Sequence, residues 1–378
     1  VLQIAQSLQF AGNRLADRKQ SKGRTTLADV AKACGFSVST VSIVLNEAPL
    51  AGSISARTKA LVREAAASMG YRPDAFARSL RSRRSQLIGI MVFDISDPFC
   101  TLILNGIHST LRTTSYLPII MDAHNEAAQF ERYLGMLLER RIEGLIVVAN
   151  WMFVDIKRLA AIEQEQIPSV IVGQQMRSSA MSSIMVDNEL GGYLALQHLH
   201  ALGHREIAVI RGPEELPDSR KRWAGILRCA AEVGLKLRPT CVLDLPGASE
   251  PTAGFYEGRR ITSDLLADGP HCTAILAFDD LTALGAISAL HLAGLRVPED
   301  YSVIGFDDVP NASLSTPTLS TVRQPMEHMG VTAAERLLAE MESLQNERSL
   351  PAKHWLTTPE LVARDSTRRY QRKPGGKK

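Results

Sequence analysis

The stretch TLADVAKACGFSVSTVSIVLN, from Thr26 to Asn46, reads as two short helices separated at Gly35. Thr26 is placed to cap the first, with Asp29 three residues on as its capping-box partner, and Leu27, Val30 and Ala31 form one apolar face. Gly35 supplies the turn. Ser37 caps the second helix, in which Val41, Val44 and Leu45 are expected to face inward and Val38, Ser39, Thr40, Ser42 and Ile43 outward. A third helix is expected from Ser55 to about Ser68, adding Leu61, Val62 and Ala65 to the same small core and ending at Gly70. The result is a small all-α head spanning residues 25–73.

Working outward, residues 1–24 carry Arg14, Arg18, Lys19 and Lys22 without the continuous apolar stretch of a secretory signal, and are expected to be a flexible leader. Charge is divided unevenly along the 378 residues. Residues 1–86 hold 14 Lys+Arg against 5 Asp+Glu, a net +9, whereas residues 87–378 hold 29 against 35, a net −6. A basic head on a mildly acidic body suits a polyanion that meets the head alone.

Beyond Leu87 the pattern changes to short Ile/Val-rich runs alternating with helical stretches. The runs are Leu87 to Phe93, Leu117 to Met121, Gly144 to Ala149, Ser169 to Gly173, Ile207 to Ile210, Cys241 to Leu245, Ala274 to Phe278 and Ser302 to Phe306. Continuous apolar runs imply strands covered on both faces, so each is expected to be buried, in parallel sheets built from βαβ units. Eight strands over this length are better divided between two sheets than forced into one. The basic end from Thr367 to Lys378 is expected to be a disordered tail.

Several classes of chemistry find no support. The five cysteines, Cys34, Cys100, Cys229, Cys241 and Cys272, are odd in number and contain no C-x-x-C pair, so no disulfide framework or zinc site is indicated and a reducing cytoplasm fits. His200 and His204 have the i, i+4 spacing of a helical metal pair, but the family resemblance set out below implies that LGHR from Leu202 is a helix-ending turn, so no metal is assigned. No phosphate-binding glycine loop, nucleophile elbow or zinc-protease motif is present, and no enzyme activity or cofactor is expected. No apolar run reaches the length that spans a bilayer.

The Thr26–Asn46 stretch resembles the helix-turn-helix of the lactose/galactose repressor family. Consistent signals follow in order: GYRP from Gly70, ARSLR from Ala77, DISDPF from Asp94, LGHREIA from Leu202, RWAG from Arg222, FDD from Phe278 and GLRVP from Gly294. The series closes with IGFDD from Ile304, TPTLSTVRQ from Thr316 and PELVARDST from Pro359, covering about 340 residues. The resemblance implies a DNA-binding head, a hinge at 74–85, and a body at 86–365 with the periplasmic-binding-protein fold of two lobes with parallel sheets. The lobes are expected at about 86–186 with 315–345, and 187–314 with 346–365, followed by a basic tail at 366–378.

The second helix of such a pair enters the major groove with its outward residues against base edges. Val38 and Ser39 then choose the operator sequence, helped by Ser42 and Ile43. Family members often carry Arg where Ile43 stands, so this operator should differ at that base. Thr26, Thr40 and Asn46 are assigned to phosphates; capping alone is the competing role of Thr26 and Asn46. The loop from Glu47 to Ser53 is a few residues longer than the family pattern. In the hinge, Leu80 matches a residue wedged between base steps of the minor groove, with Ala77 beside it and Arg78, Arg81, Arg83 and Arg84 against nearby phosphates.

Ligands of open α/β sheets sit beyond the C-terminal strand ends, which singles out Asp97, Phe99, Asn150, Trp151, Gln174, Arg222, Asp279 and Asp307. Arg222 and Asp307 match the family's pocket arginine and carboxylate. An arginine with carboxylates and aromatic rings suits a polyhydroxylated ligand, so a sugar or sugar derivative is the expected effector, although some family members bind purines. The expected protein is a cytoplasmic, nucleoid-associated homodimeric repressor. The alternatives are a sugar-binding transport or chemosensory protein without DNA function, and an enzyme on the same fold.

Overall fold

A computed structural model describes residues 25–46, 49–72, 84–149, 162, 165–174, 181–214, 216–246, 253–269 and 272–371. The leader, hinge residues Ala77, Arg78, Leu80, Arg81 and Arg83, together with Glu47, Asn150 and Trp151, lie outside them. The chain divides into two compact units at Ser85.

The first unit is all helical. Helix α1 (Leu27–Cys34) begins in the expected capping box: the Asp29 amide donates to the Thr26 hydroxyl, and the Thr26 amide donates to the Asp29 carboxylate at 2.9 Å. These bonds satisfy amides that no helical carbonyl can reach. Gly35 closes the helix at φ +73, a conformation that only glycine adopts without strain. Helix α2 (Val38–Leu45) leaves the turn at 107° to α1, capped by Ser37 on the Thr40 amide. A 3-10 turn (Pro49–Ser53) leads to α3 (Ala56–Ser68), capped by Ser55.

Val30, Ala31, Val41, Val44, Val62 and Ala66 form the core of this unit. Two expectations are corrected here. Leu61 is 44% exposed and Ala66 takes the inward position, because the inward stripe of α3 runs through Val62 and Ala66, one turn apart. Ser42 is buried rather than outward, since it packs under the helix end where the Asn46 side chain donates to its carbonyl and hydroxyl.

The second unit holds two six-stranded sheets. The first has the order β11-β5-β4-β3-β1-β2, with β1 (Leu87–Val92), β2 (Leu117–Asp122), β3 (Gly144–Val148), β4 (Ser169–Val172), β5 (Ser182–Val186) and β11 (His354–Thr357), all parallel. The second runs β12-β10-β9-β8-β6-β7, with β6 (Ile207–Arg211), β7 (Val242–Asp244), β8 (Ala274–Ala277), β9 (Ser302–Asp307), β10 (Ser320–Arg323) and β12 (Glu360–Val362). It too is parallel, except for β12 against β10. Helices α4 (Pro98–Leu111), α5 (Ala127–Glu139) and α11 (Met326–Gln345) belong to the first lobe, and α6 (Asn188–Ala201), α7 (Pro217–Glu232), α8 (Ala253–Ala267), α9 (Asp280–Leu292) and the short α10 (Pro310–Leu314) to the second.

The sheets hold more strands than the apolar runs mark, and the lobe limits shift. Strands β5, β10, β11 and β12 were not foreseen. Because β10 pairs with β9, residues 320–323 belong to the second lobe, and because β11 pairs with β5, residues 354–357 belong to the first. The chain therefore crosses between lobes after β5, after β10 and after β11. Strand β2 is not fully buried: it closes one sheet edge, with Leu117 62% exposed. Cys241 sits in a 3-10 turn before β7. Nor is the segment from Thr367 to Gln371 a free tail. The Arg368 amide donates to Ser302, the Thr367 hydroxyl meets Ser320 and His198, and the Tyr370 amide donates to the Leu202 carbonyl.

Candidate functional site

On the head, Val38 and Ser39 stand exposed at the N-terminal end of α2, Val38 at 48%. Ile43 and Thr40 are half-buried, and the Thr40 hydroxyl lies 2.9 Å from the Ser37 hydroxyl. Thr26 and Asn46 both act as caps. Leu50, in the turn after α2, is 66% exposed. The head thus presents a helix N-terminus with small outward side chains, a shape that fits a major groove.

In the second unit, both parallel sheets direct their C-terminal strand ends into one cleft. In each sheet the first strand has neighbours reached in opposite directions, β1 between β2 and β3 and β6 between β7 and β8, which opens a crevice at that point. The cleft is lined by Asp97, Phe99 and Gly173 from the first lobe, and by Asp218, Arg222, Phe278, Asp279, Asp280, Asp307 and Gln324 from the second and its crossover. Between these side chains about 50 Å³ of cavity remains, inside about 730 Å³ of space that includes the open solvent of the mouth.

The turn DISDPF builds the first-lobe wall. Buried Asp94 accepts from the Ser96 amide and hydroxyl at 2.8 and 2.6 Å, and Asp97 caps α4 by accepting from the Phe99 amide at 2.9 Å. Pro98 occupies the first helical turn, where its missing N–H costs nothing. Phe99 is thereby held in the cleft wall.

Arg222 is fixed from several sides. Nε donates to Asn188 Oδ1 at 2.8 Å, Nη1 donates to the Phe278 carbonyl at 2.7 Å, and Nη2 lies 3.5 Å from Asp307 Oδ1. Its guanidinium carbon lies 3.6 Å from the Phe306 ring centroid and 4.6 Å from that of Phe278. The RWAG motif explains how α7 comes this close to α6. A Cβ on Gly225 would stand 1.8 Å from the Glu189 carbonyl oxygen, and one on Gly192 would stand 2.1 Å from that of Arg222. Only two glycines allow the backbone approach that sets Arg222 against Asn188.

The GFDD motif turns sharply. Asp307 and Asp308 have φ of +114 and +59, consecutive positive values that cost energy and are held by their side-chain partners. Asp307 Oδ1 accepts from Gln324 Nε2 at 2.6 Å and faces the cleft. Asp308 instead pairs with Arg323 at 2.7 Å and Arg364 at 2.6 Å. Burial pushes the Asp307 carboxyl up to about 7; Arg222 opposes the rise and the Asp279 charge adds to it. Asp280 is fully buried, accepting from the Thr321 hydroxyl at 2.6 Å and the Val309 amide at 2.9 Å, and burial with the nearby Asp307 charge holds its carboxyl well above the usual range. Asp279 caps α9 on the Thr282 amide at 2.7 Å.

Of the sequence-derived effector residues, Asp97, Phe99, Arg222, Asp279 and Asp307 come together in the cleft, and Trp151 lies outside the described residues. Gln174 is not in the lining, because the β4 end turns at Gly173, which has φ +93 and itself forms the wall. Asp218, Phe278, Asp280 and Gln324 were missed. Asp218 precedes Arg222 by four residues on α7, a spacing that puts both on one helix face and could have found it. His204 is buried, with ring nitrogens 2.8 Å from the Thr273 hydroxyl and 3.0 Å from the Ser302 hydroxyl, and His198 meets Thr367. These histidines tie the second lobe together.

Residues 26–74 match the family described as bacterial regulatory proteins, lacI family, and residues 196–367 match the periplasmic binding protein-like domain. The chain is 34% identical over 323 residues to the HTH-type transcriptional repressor PurR of Erwinia tasmaniensis, covering 85% of this chain and 92% of that protein. Among solved structures, the Lac repressor dimer bound to operator and the anti-inducer ONPF superposes with a TM-score of 0.77 at 28% identity, covering 91% of this chain and 99% of that one. The transcriptional regulator CelR–cellobiose complex gives 0.65 at 26% identity, covering 91% and 100%. With the capped helix pair, the two-lobed body and these likenesses agreeing along the chain, the protein belongs to the lacI family of bacterial transcriptional regulators.

Proposed function

We propose that this protein is a repressor whose affinity for a specific operator is set by a small, hydroxyl-rich effector bound between the two lobes. The observation that carries the effector site is the placement of Arg222, held by Asn188, Phe278 and Asp307 in a cleft walled by Phe99. A guanidinium has five N–H donors, so this arrangement leaves donors for a ligand beside carboxylates that accept hydroxyl protons. Cellobiose is the ligand named for CelR, which supports a carbohydrate here.

In the head, Val38 and Ser39 read bases, with Ile43 as a weaker apolar contact, and Thr26, Thr40 and Asn46 approach phosphates. Ser42 is withdrawn from this list by its burial. Ala77, Arg78, Leu80 and Arg81 act at the minor groove when two copies bind a pseudo-palindromic site, a reading that rests on the sequence. Effector binding changes operator affinity only if it favours one arrangement of the two lobes over another. The protein acts on chromosomal DNA in the bacterial cytoplasm.

The test is a screen of sugars and nucleobases for thermal stabilisation of the full chain, with hits retested for release of bound operator. A compound that stabilises the protein and shifts operator affinity supports the reading. If no duplex is preferred at any salt concentration and no compound alters DNA binding, the proposal fails.

A further inference from the structure

The charge of the cleft says more about its ligand. Among the described lining residues there are five carboxylates, Asp97, Asp218, Asp279, Asp280 and Asp307, against one cation, Arg222. Arg222 is already met by Asp307. Asp280 has its two oxygens engaged by Thr321 and Val309, and Asp279 and Asp307 each have Oδ1 engaged by protein donors.

Asp218 differs from the others. It stands in the first turn of α7, half-buried in the cleft wall, one helical turn before Arg222, and has no hydrogen-bond or ion-pair partner among the described residues. The nearby Arg222 and Lys221 charges offset the lost hydration of this half-buried carboxylate only in part, and no protein donor completes its shell, so a ligand donor would be favoured there. Burial correspondingly holds its carboxyl above the ordinary value. An anionic ligand would find no cation besides Arg222 among the described lining residues.

We propose that the effector carries a protonated amine beside its hydroxyls, and that Asp218 receives that amine. The inference rests on the cleft being the effector site, as above. It separates this site from one for neutral sugars, and rules out sugar acids and phosphates.

The experiment uses the full chain with matched sets: glucosamine, galactosamine and mannosamine, each beside its parent sugar and its uronic acid. Binding is followed by thermal shift and calorimetry. In at least one set the amine should bind about tenfold tighter than its parent, the scale of one charge-assisted hydrogen bond. Asp218→Asn should bring the two within about twofold. Asp218→Ser repeats the test if the Asn variant does not fold. The inference is overturned if an uncharged compound or a uronate binds best, or if the substitution keeps the amine's advantage. A parent sugar that releases operator with no help from an amine sinks this inference and leaves the proposed function standing. Failure of every compound, whatever its charge, to stabilise the protein or move operator affinity defeats both.

Discussion

The Arg222 guanidinium stacks on Phe306, the residue immediately before the carboxylate with which it pairs, at 3.6 Å from the ring centroid. One β-strand end therefore supplies both an apolar platform and a counter-charge. A planar guanidinium uses both; an ammonium uses only the charge. Arg222→Lys should lower effector affinity at least about tenfold through loss of the forked donor set. Arg222→Ala should also destabilise the body by about 3 kcal/mol, since Asp307 and Asn188 lose their partner in a buried setting. Calorimetric titration and chemical unfolding of both variants check these outcomes.

The raised Asp307 carboxyl sets a pH dependence. With its folded value near 7 and its ordinary value at 3.8, the native state holds a proton that the unfolded chain has released. Stability contributed at this position is present below about pH 4 and declines as pH rises to about 7. Asp218 and Asp280, both raised, act in the same direction. Asp307→Asn should flatten the fall in melting temperature between pH 5 and 7.5. An unchanged profile would contradict the assignment.

Gly225→Ala tests the approach of α6 and α7. A methyl 1.8 Å from the Glu189 carbonyl oxygen cannot be accommodated without parting the helices. About 2–4 kcal/mol of destabilisation is expected. Effector affinity should fall as well, because Arg222 moves with α7. Denaturant midpoints together with ligand titration measure both.

In the head, Thr26→Ala removes one half of the capping box and should lower stability by about 1 kcal/mol, while Thr26→Ser retains it. Thermal melts of the two variants distinguish them.

Substitution of the exposed Ser39 by Ala should change operator preference at one base position by about 1–3 kcal/mol with little effect on melting. Competition binding against a set of single-base operator variants reads this directly. A uniform loss over all variants would instead indicate a phosphate contact.

What could be read from the chain was whatever lies close together along it. The Thr26–Asp29 capping box, the turn at Gly35 and the cap at Ser37 are interactions over three or four residues, so side-chain types at fixed spacing determine them. The long apolar runs of β1, β3 and β8 are likewise local, and the candidate residues at the strand ends followed from a general rule about open sheets. Only tertiary structure decided the rest. Strand β5 begins with Ser182 and Ser183, both fully buried, because Glu340 and His354 from distant segments meet their hydroxyls. Strand β10 is polar for the same reason: Thr321 meets Asp280, and Ser320 meets Thr367. The sequence determined which segments could be helices and strands, because backbone preference and capping act over one turn. The burial of polar strands, the exposed edge at β2 and the unpartnered carboxylate of Asp218 depend on which remote residues arrive beside them, and contacts between distant residues exist only once the chain has folded.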